Sequence, residues 1–360
     1  MNAAAKHLIL RTLGRPCPFV LPMFPALAAY ASTTAENDAR PTPSGATVDL
    51  RQEKVQRFAR AIAPAVLALT LAADFAGSAR ACSQCICGTP FPAAVVGGVV
   101  PTQLAYGLEE RYLSKTSGLD DGPGEEQELE HRVAGFALWR PWNRLALVGR
   151  LPYNFKQVNQ HVPGLEPSSQ TSSGIGDAEL LALVGVARGS GRHPVTVGLV
   201  LGGSVPTGSN ELRGADGERL DIHLQPGTGA WSGTGGLHLA TSRSTGTWDG
   251  SLLGRISGTS SHGYRYGSAL LYNGGFTSSE WRGVRLLAQI DGRSAGKDRL
   301  ESGAMGANTG GSVMYAAPGL RWQTTFGLVV EGSVQVPFRQ HLYGDQTEHT
   351  TGRFTLSMSR

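Results

Sequence analysis

Residues 144–158 read RLALVGRLPYNFKQV, and the order of these residues decides the fold class. Leu145, Leu147, Gly149, Leu151, Tyr153 and Phe155 alternate with Arg144, Ala146, Val148, Arg150, Pro152, Asn154 and Lys156. A period of two sends successive side chains to opposite faces of an extended strand. One face is then apolar and the other carries charge. Residues 326–339 repeat the arrangement, with Leu328, Val330, Val334, Val336 and Phe338 opposite Glu331, Ser333, Gln335 and Arg339. Residues 283–295 do so again, with Val284, Leu286, Ala288 and Ile290 opposite Arg285, Gln289, Asp291 and Arg293.

Working outward, the same pattern predicts twelve strands, at 102–115, 129–140, 144–158, 175–188, 193–206, 227–241, 247–261, 265–278, 283–295, 309–322, 326–339 and 350–359. The links alternate in character. Those at 116–128, 159–174, 207–226, 296–308 and 340–349 are long and polar. Those at Pro141–Asn143, Gly189–Arg192, Ser242–Gly246, Ser279–Arg282 and Gln323–Thr325 are short. The link at His262-Gly263 is the exception, short where a long one is due. Long loops on one rim and tight turns on the other, with an even strand count, mark an all-β fold: a transmembrane antiparallel up-and-down β-barrel of about 12 strands. In hydrocarbon every backbone N–H and C=O must be paired, so a sheet that spans has to close on itself. Tyr112, Trp139, Trp142, Trp231, Trp281 and Phe338 fall near strand ends, where interfacial girdles lie. A secreted β-sandwich or soluble barrel shows the same alternation with its charged face turned to water. Export, strand length and rim asymmetry favour the membrane barrel.

Composition and charge agree. The formal net charge of +4 on 360 residues resides in residues 1–81, which hold nine basic and five acidic side chains; residues 82–360 hold 23 of each. A basic nucleic-acid-binding surface is therefore not expected. Gly is abundant, at 49 residues, without the Gly-X-Y period of collagen. Past the leader no apolar run approaches the roughly 18 residues of a spanning helix, which excludes a polytopic helical membrane protein. Arg57 and Arg60, the apolar stretch Ala61–Ala73 and the small residues of Ala79-Arg80-Ala81 read as a signal peptide over 55–81. Residues 1–54 are either a mis-started frame, with Val55 a candidate true start, or an extended leader. Residues 82–98 form a Cys-containing N-terminal segment and 99–360 the barrel. Export to the outer membrane of a Gram-negative bacterium follows.

Five motifs in order carry a family resemblance: Gly174-Ile175-Gly176-Asp177, Ser204-Val205-Pro206-Thr207-Gly208, Gln225-Pro226-Gly227-Thr228-Gly229-Ala230-Trp231, Tyr264–Leu270 and Val334–Gln340. Over residues 95–360 the chain resembles the outer-membrane transporter-like proteins named after the MetA pathway of phenol degradation. The resemblance implies a transmembrane β-barrel that passes small, hydrophobic solutes. It departs at the C-terminus, where Arg360 stands in place of the aromatic residue that the barrel assembly machinery recognises.

Three cysteines, Cys82, Cys85 and Cys87, cluster at the start of the mature chain. C-x₂-C-x-C spacing brings three sulfurs to one side of a turn, which suits a soft metal ion such as Cu or Zn. A disulfide with one thiol left over, or lipidation of Cys82, are the other readings. No cofactor is firmly implied. By strand parity Arg144, Arg150, Lys156, Arg255, Arg265, Arg285, Arg293, Arg339 and Arg353 point into the lumen, answered by Glu109, Asp177, Glu179, Asp291 and Glu331. These groups either form a ladder of ion pairs or make a basic constriction that favours anions. His131, His193, His238 and His262 are scattered outside any nucleophile constellation, so catalysis is not expected. The functional expectation is passive passage of small solutes. The alternatives are a non-conducting barrel whose thiols bind metal, and a structural outer-membrane protein.

Overall fold

The computed structural model describes residues 103–119, 123–189 and 195–359. The leader, the Cys82–Cys87 cluster, His193 and Arg360 lie outside the described residues. The strands are β1 (Leu104–Gly118), β2 (Glu125–Trp142), β3 (Leu145–His161), β4 (Ser168–Ile175), β5 (Ala178–Arg188), β6 (Val195–Val205), β7 (Ser232–Arg243), β8 (Gly246–Ser257), β9 (Ala269–Ser278), β10 (Val284–Ala295), β11 (Gly311–Gln323), β12 (Leu328–Leu342), β13 (Gln346–Glu348) and β14 (Thr351–Ser359). All pairings are antiparallel, and most join strands that are neighbours in sequence. β4 and β5 both pair with β3 and form one stave, broken at Gly176-Asp177. β13 and β14 share a stave against β1 in the same way. Because β1 also pairs with β2 along its whole length, the sheet closes into a twelve-stave barrel.

The two faces sort as the alternation requires. Leu151 and Phe155 are each 50% exposed on the outside, whereas Val148 is 0% exposed on the inside. The outward set continues through Leu108, Leu180, Leu201, Leu239, Leu252, Ile290, Leu320, Val336 and Phe354. A belt of exposed aliphatic side chains around charged and amide groups inverts a water-soluble barrel and suits hydrocarbon outside. Exposed Trp139, Trp142, Trp281, Trp322 and Phe326 mark the tight-turn rim. Tyr153, Phe155, Trp231 and Phe338 mark the other. Above Phe155 the outward positions of β2 and β3 turn polar (Gln127, Gln157, Asn159), so these strands project beyond the apolar belt. Replacing Ile290, near the middle of β10, with Arg is expected to lower folding free energy into bilayers by ~2–4 kcal/mol. Urea titration in phospholipid vesicles measures it, and a change near zero would place Ile290 away from lipid.

Tight turns sit where expected. At the β9–β10 hairpin, Arg282 and Gly283 both have positive φ (52° and 81°) between the bridged pair Trp281 and Val284. This twist matches the flanking strands. Several link lengths differ from the sequence reading, and those expected at 116–128 and 159–174 shorten to 119–124 and 162–167. Residues 258–268 form a long link after all, so the exception expected there disappears. The link expected at 340–349 shrinks to Tyr343–Asp345, because β12 runs on to Leu342 and β13 resumes pairing at once.

Candidate functional site

The inside of the barrel is where chemistry can differ from that of a passive wall. One part of it is an ion-pair network on β1, β3 and β5. Arg150 is buried and bridges two carboxylates: Nη1 donates to Glu179 at 3.2 Å and Nη2 to Glu109. Arg111 Nε also donates to Glu109, at 2.8 Å. Two staves along the same wall, Arg321 Nε donates to Glu331 at 2.7 Å, and Arg353 Nη2 lies 3.8 Å from the same carboxylate. Arg293 forks onto Glu348, which also accepts from the Tyr315 hydroxyl. Asp291 accepts from Gln335 at 2.7 Å. Bidentate guanidinium–carboxylate pairing fixes geometry as well as charge, so this side of the lumen is rigid.

Three of the residues expected to line the lumen do not. Arg144 is exposed in the two-residue turn between β2 and β3. Arg265 is exposed in the 258–268 link, where Tyr264 and Tyr266 are the buried residues and Arg265 Nε donates to the Ser257 carbonyl. Arg339 is turned outward by a β-bulge: Met314 opposes Arg339 but Tyr315 opposes Pro337, so one extra residue reverses parity beyond Pro337. Arg150, Lys156, Arg255, Arg285, Glu179, Asp291, Arg293 and Glu331 are inward; Asp177 sits in the break between β4 and β5.

Sequence reasoning missed the inward groups that balance them. Arg111, Lys115, Arg132 and Arg321 face in, and so do Glu126, Glu128, Glu130, Asp249 and Glu348. With these included, the inward acids come close in number to the inward bases among the described residues, so the basic excess that would favour anions is small there. Also missed was an apolar inner patch of Leu138, Val148, Leu181, Val200 and Leu253, all 0% exposed. Both faces of β3 and β5 are apolar over that stretch, so alternation alone could not reveal it.

The mouth on the long-link rim is shaped by residues 206–231, which fold onto the inner wall. A 3-10 turn, Ile222–Leu224, is capped by Asp221, whose carboxylate accepts from His223 N at 2.7 Å. Lys156 Nζ donates to the His223 carbonyl at 3.0 Å, and Ser172 to that of Leu224. Asn154 Nδ2 donates to the Pro226 carbonyl at 2.7 Å. Glu128 stands 3.4 Å from His223 Nδ1 and 3.2 Å from Lys115 Nζ. Burial opposes charge on His223, but the Glu128 carboxylate, with Asp221, outweighs it and lifts the imidazole to about 9. Gln225, 0% exposed, bonds the Leu212 and Leu220 carbonyls, which ties the loop to itself. Asp177, at the strand break, accepts from Gly208 N at 3.1 Å and Thr228 N at 2.9 Å, pinning both feet of the loop. An apolar pair, Ile222 and Leu224, inside a polar loop is the one sequence signal that could have found this element.

Beneath the loop lies a small cavity of ≈ 70 Å³ that opens toward bulk water. Arg132, Arg150, Arg255, Asp177 and Glu179 line it with Pro152, Ala134, Pro226, Ala230 and Tyr266. Arg255 Nη2 donates to Ser232 at 3.2 Å. The cavity is amphipathic, with charged groups on one side and prolines, alanines and a tyrosine ring on the other. Among the described residues no three carboxylate, imidazole or thiol groups converge as a metal would require. His131, His238 and His262 are far apart in the fold: His131 faces out beside Glu110 at 3.1 Å, His238 faces in on β7, and His262 pairs with Glu211 in the loops.

No protein-family model matches the chain, and no curated protein matches it. Solved structures do. The chain is similar to the COG4313 outer membrane channel from Pseudomonas putida F1, at 12% identity and a TM-score of 0.54, covering 76% of this chain and 100% of that one. The CymD monoaromatic hydrocarbon channel aligns more loosely, at 9% identity and a TM-score of 0.35 over 72% of this chain and 89% of that one. At these identities the likeness concerns the fold, that of outer-membrane barrel channels.

Proposed function

We propose that this chain is an outer-membrane channel for passive passage of small solutes, inserted by the barrel assembly machinery. The five motifs that resemble the transporter-like proteins named after the MetA pathway of phenol degradation support this reading. The observation that carries the reading is the amphipathic cavity under the 206–231 loop, inside a closed barrel whose outer belt is apolar. A solute with a small apolar body and a polar group fits that lining. Pro152, Pro226 and Tyr266 offer apolar contact, while Arg132 and Arg255 offer donors. The likeness in fold to the COG4313 outer membrane channel agrees with this reading. Rings of charge and hydrogen-bonding groups select what passes such a lumen.

Liposome swelling tests it. Vesicles holding the purified barrel are expected to swell in isosmotic small amphipathic solutes faster than protein-free vesicles. Equal rates would leave a structural outer-membrane protein as the better reading.

A further inference from the structure

The structure assigns to Arg255 a subsite for the carboxylate of a small monoanionic solute, within the cavity beneath the 206–231 loop. Arg255 is on β8, half-buried and turned inward. Of the three arginines that line the cavity, the other two are taken by acids. Arg132 Nε and Nη2 donate to Glu130 at 2.8 and 2.6 Å, and Arg150 joins Glu179 and Glu109. Arg255 has no carboxylate within salt-bridge distance among the described residues. Its Nη2 donates to the Ser232 hydroxyl at 3.2 Å, and its remaining donors are unused by those residues. The two acids of the lining are committed elsewhere: Glu179 to Arg150, and Asp177 to Gly208 N, Thr228 N and the Thr228 hydroxyl. Both Asp177 oxygens therefore serve to hold the loop.

A guanidinium presents five N–H donors in a planar fork that matches the two oxygens of a carboxylate. The protein uses one of them here. In a partly desolvated cavity the others require water or an anion. The lining favours an organic anion, because Pro152, Pro226, Ala134, Ala230 and Tyr266 supply apolar contact. Ser257 adds a hydroxyl two positions along β8, on the same face as Arg255. A volume of ≈ 70 Å³ corresponds to roughly five water positions. That holds a carboxylate and a short carbon chain, and a longer body can extend toward the opening. A dianion is disfavoured by the negative charges of Asp177 and Glu179 on the same lining. The inference deepens the passage reading and rests on it for selectivity, whereas binding at Arg255 stands apart from passage.

Proton NMR of butyrate with the full barrel, in deuterated nonionic detergent, tests the subsite. Wild-type protein is expected to broaden the butyrate methyl line at least twofold more than Arg255→Gln. Butyramide, its neutral amide, should be broadened alike by both. Arg299→Gln, which removes a charge from an exposed link on the same rim, should match wild type. Heat-modified gel mobility checks that each variant folds. Equal broadening of butyrate by wild type and Arg255→Gln would overturn the proposal. An equal loss in Arg299→Gln would do so too, because net charge would then explain the effect. If Arg255→Gln does not fold, wild type alone decides: butyrate broadened no more than butyramide would overturn the subsite. Displacement of butyrate by equimolar chloride would overturn carboxylate recognition in favour of a plain anion site. Single-channel recording provides the second readout, with millimolar butyrate expected to interrupt the KCl current of wild type and not that of Arg255→Gln. Absence of any current would count against the passage reading alone, with the NMR comparison still deciding the subsite.

Discussion

Replacing residues 209–226 with a short Gly/Ser link is expected to raise single-channel conductance severalfold. The excised segment holds the Ile222–Leu224 turn, which the side chains of Lys156 and Ser172 fasten to the inner wall. Its removal clears the mouth above the cavity while leaving Gly208 and Thr228 to cap Asp177, so the barrel wall keeps its shape. The same loop should respond to pH, and the sign follows from the pair that docks it. His223 is raised from 6.5 to about 9, burial opposing and Glu128 prevailing, so its contribution is full below 6.5 and lost as pH rises through 9. Against burial, the charges of His223 and Lys115 hold Glu128 below its ordinary 4.5; its contribution is full above 4.5 and lost as pH falls through the lowered value. Docking is therefore strongest between 4.5 and 6.5 and loosens above 9. Conductance recorded from pH 6 to 10 should rise at the alkaline end in wild type and stay level in His223→Gln. Unchanged conductance after excision would show that the loop lies beside the path and not across it.

Arg150→Ala carries the largest expected loss of stability. Arg150 alone links Glu109 on β1 to Glu179 on β5, spanning β2 and β3. Without it Glu179 loses the partner shown here, and Glu109 keeps Arg111 but loses half its donors while remaining buried. Removing one member of a buried ionic set costs about 3–5 kcal/mol, because the carboxylates left behind stay buried with too few donors. Arg150→Lys should recover only part of this, since an ammonium cannot present the planar fork that meets two carboxylates at once. Urea unfolding in vesicles compares the three proteins. A loss under about 1 kcal/mol for Arg150→Ala would mean that water reaches the network.

The barrel was legible because its strands obey one local rule over many residues. Residues 144–158 could be read face by face, and Arg150 and Lys156 lie inward as their parity implies. Failures cluster where a local rule stops applying. One extra residue at the β12 bulge turned Arg339 outward, and composition does not announce a bulge. Tyr264-Arg265-Tyr266 alternates like a strand, yet it belongs to a link, where the Tyr264 hydroxyl donates to Asp298 at 2.6 Å. The acidic run Glu125–Glu130 reads in part as a solvated loop. It is strand, because above the apolar belt pairing continues and inward carboxylates find Lys115 and Arg132.

Lipid exposure along β10 tests the central arrangement most directly. Spin labels would be placed singly at Leu286, Gln289, Ile290 and Asp291, with Cys17, Cys82, Cys85 and Cys87 changed to Ser, in bilayers. Labels at Leu286 and Ile290 are expected to relax with membrane-dissolved oxygen and to ignore a water-soluble nickel complex, while those at Gln289 and Asp291 should not see lipid oxygen. Nickel contact at Leu286 and Ile290, with oxygen contact at neither, would put the apolar face in water and contradict the account.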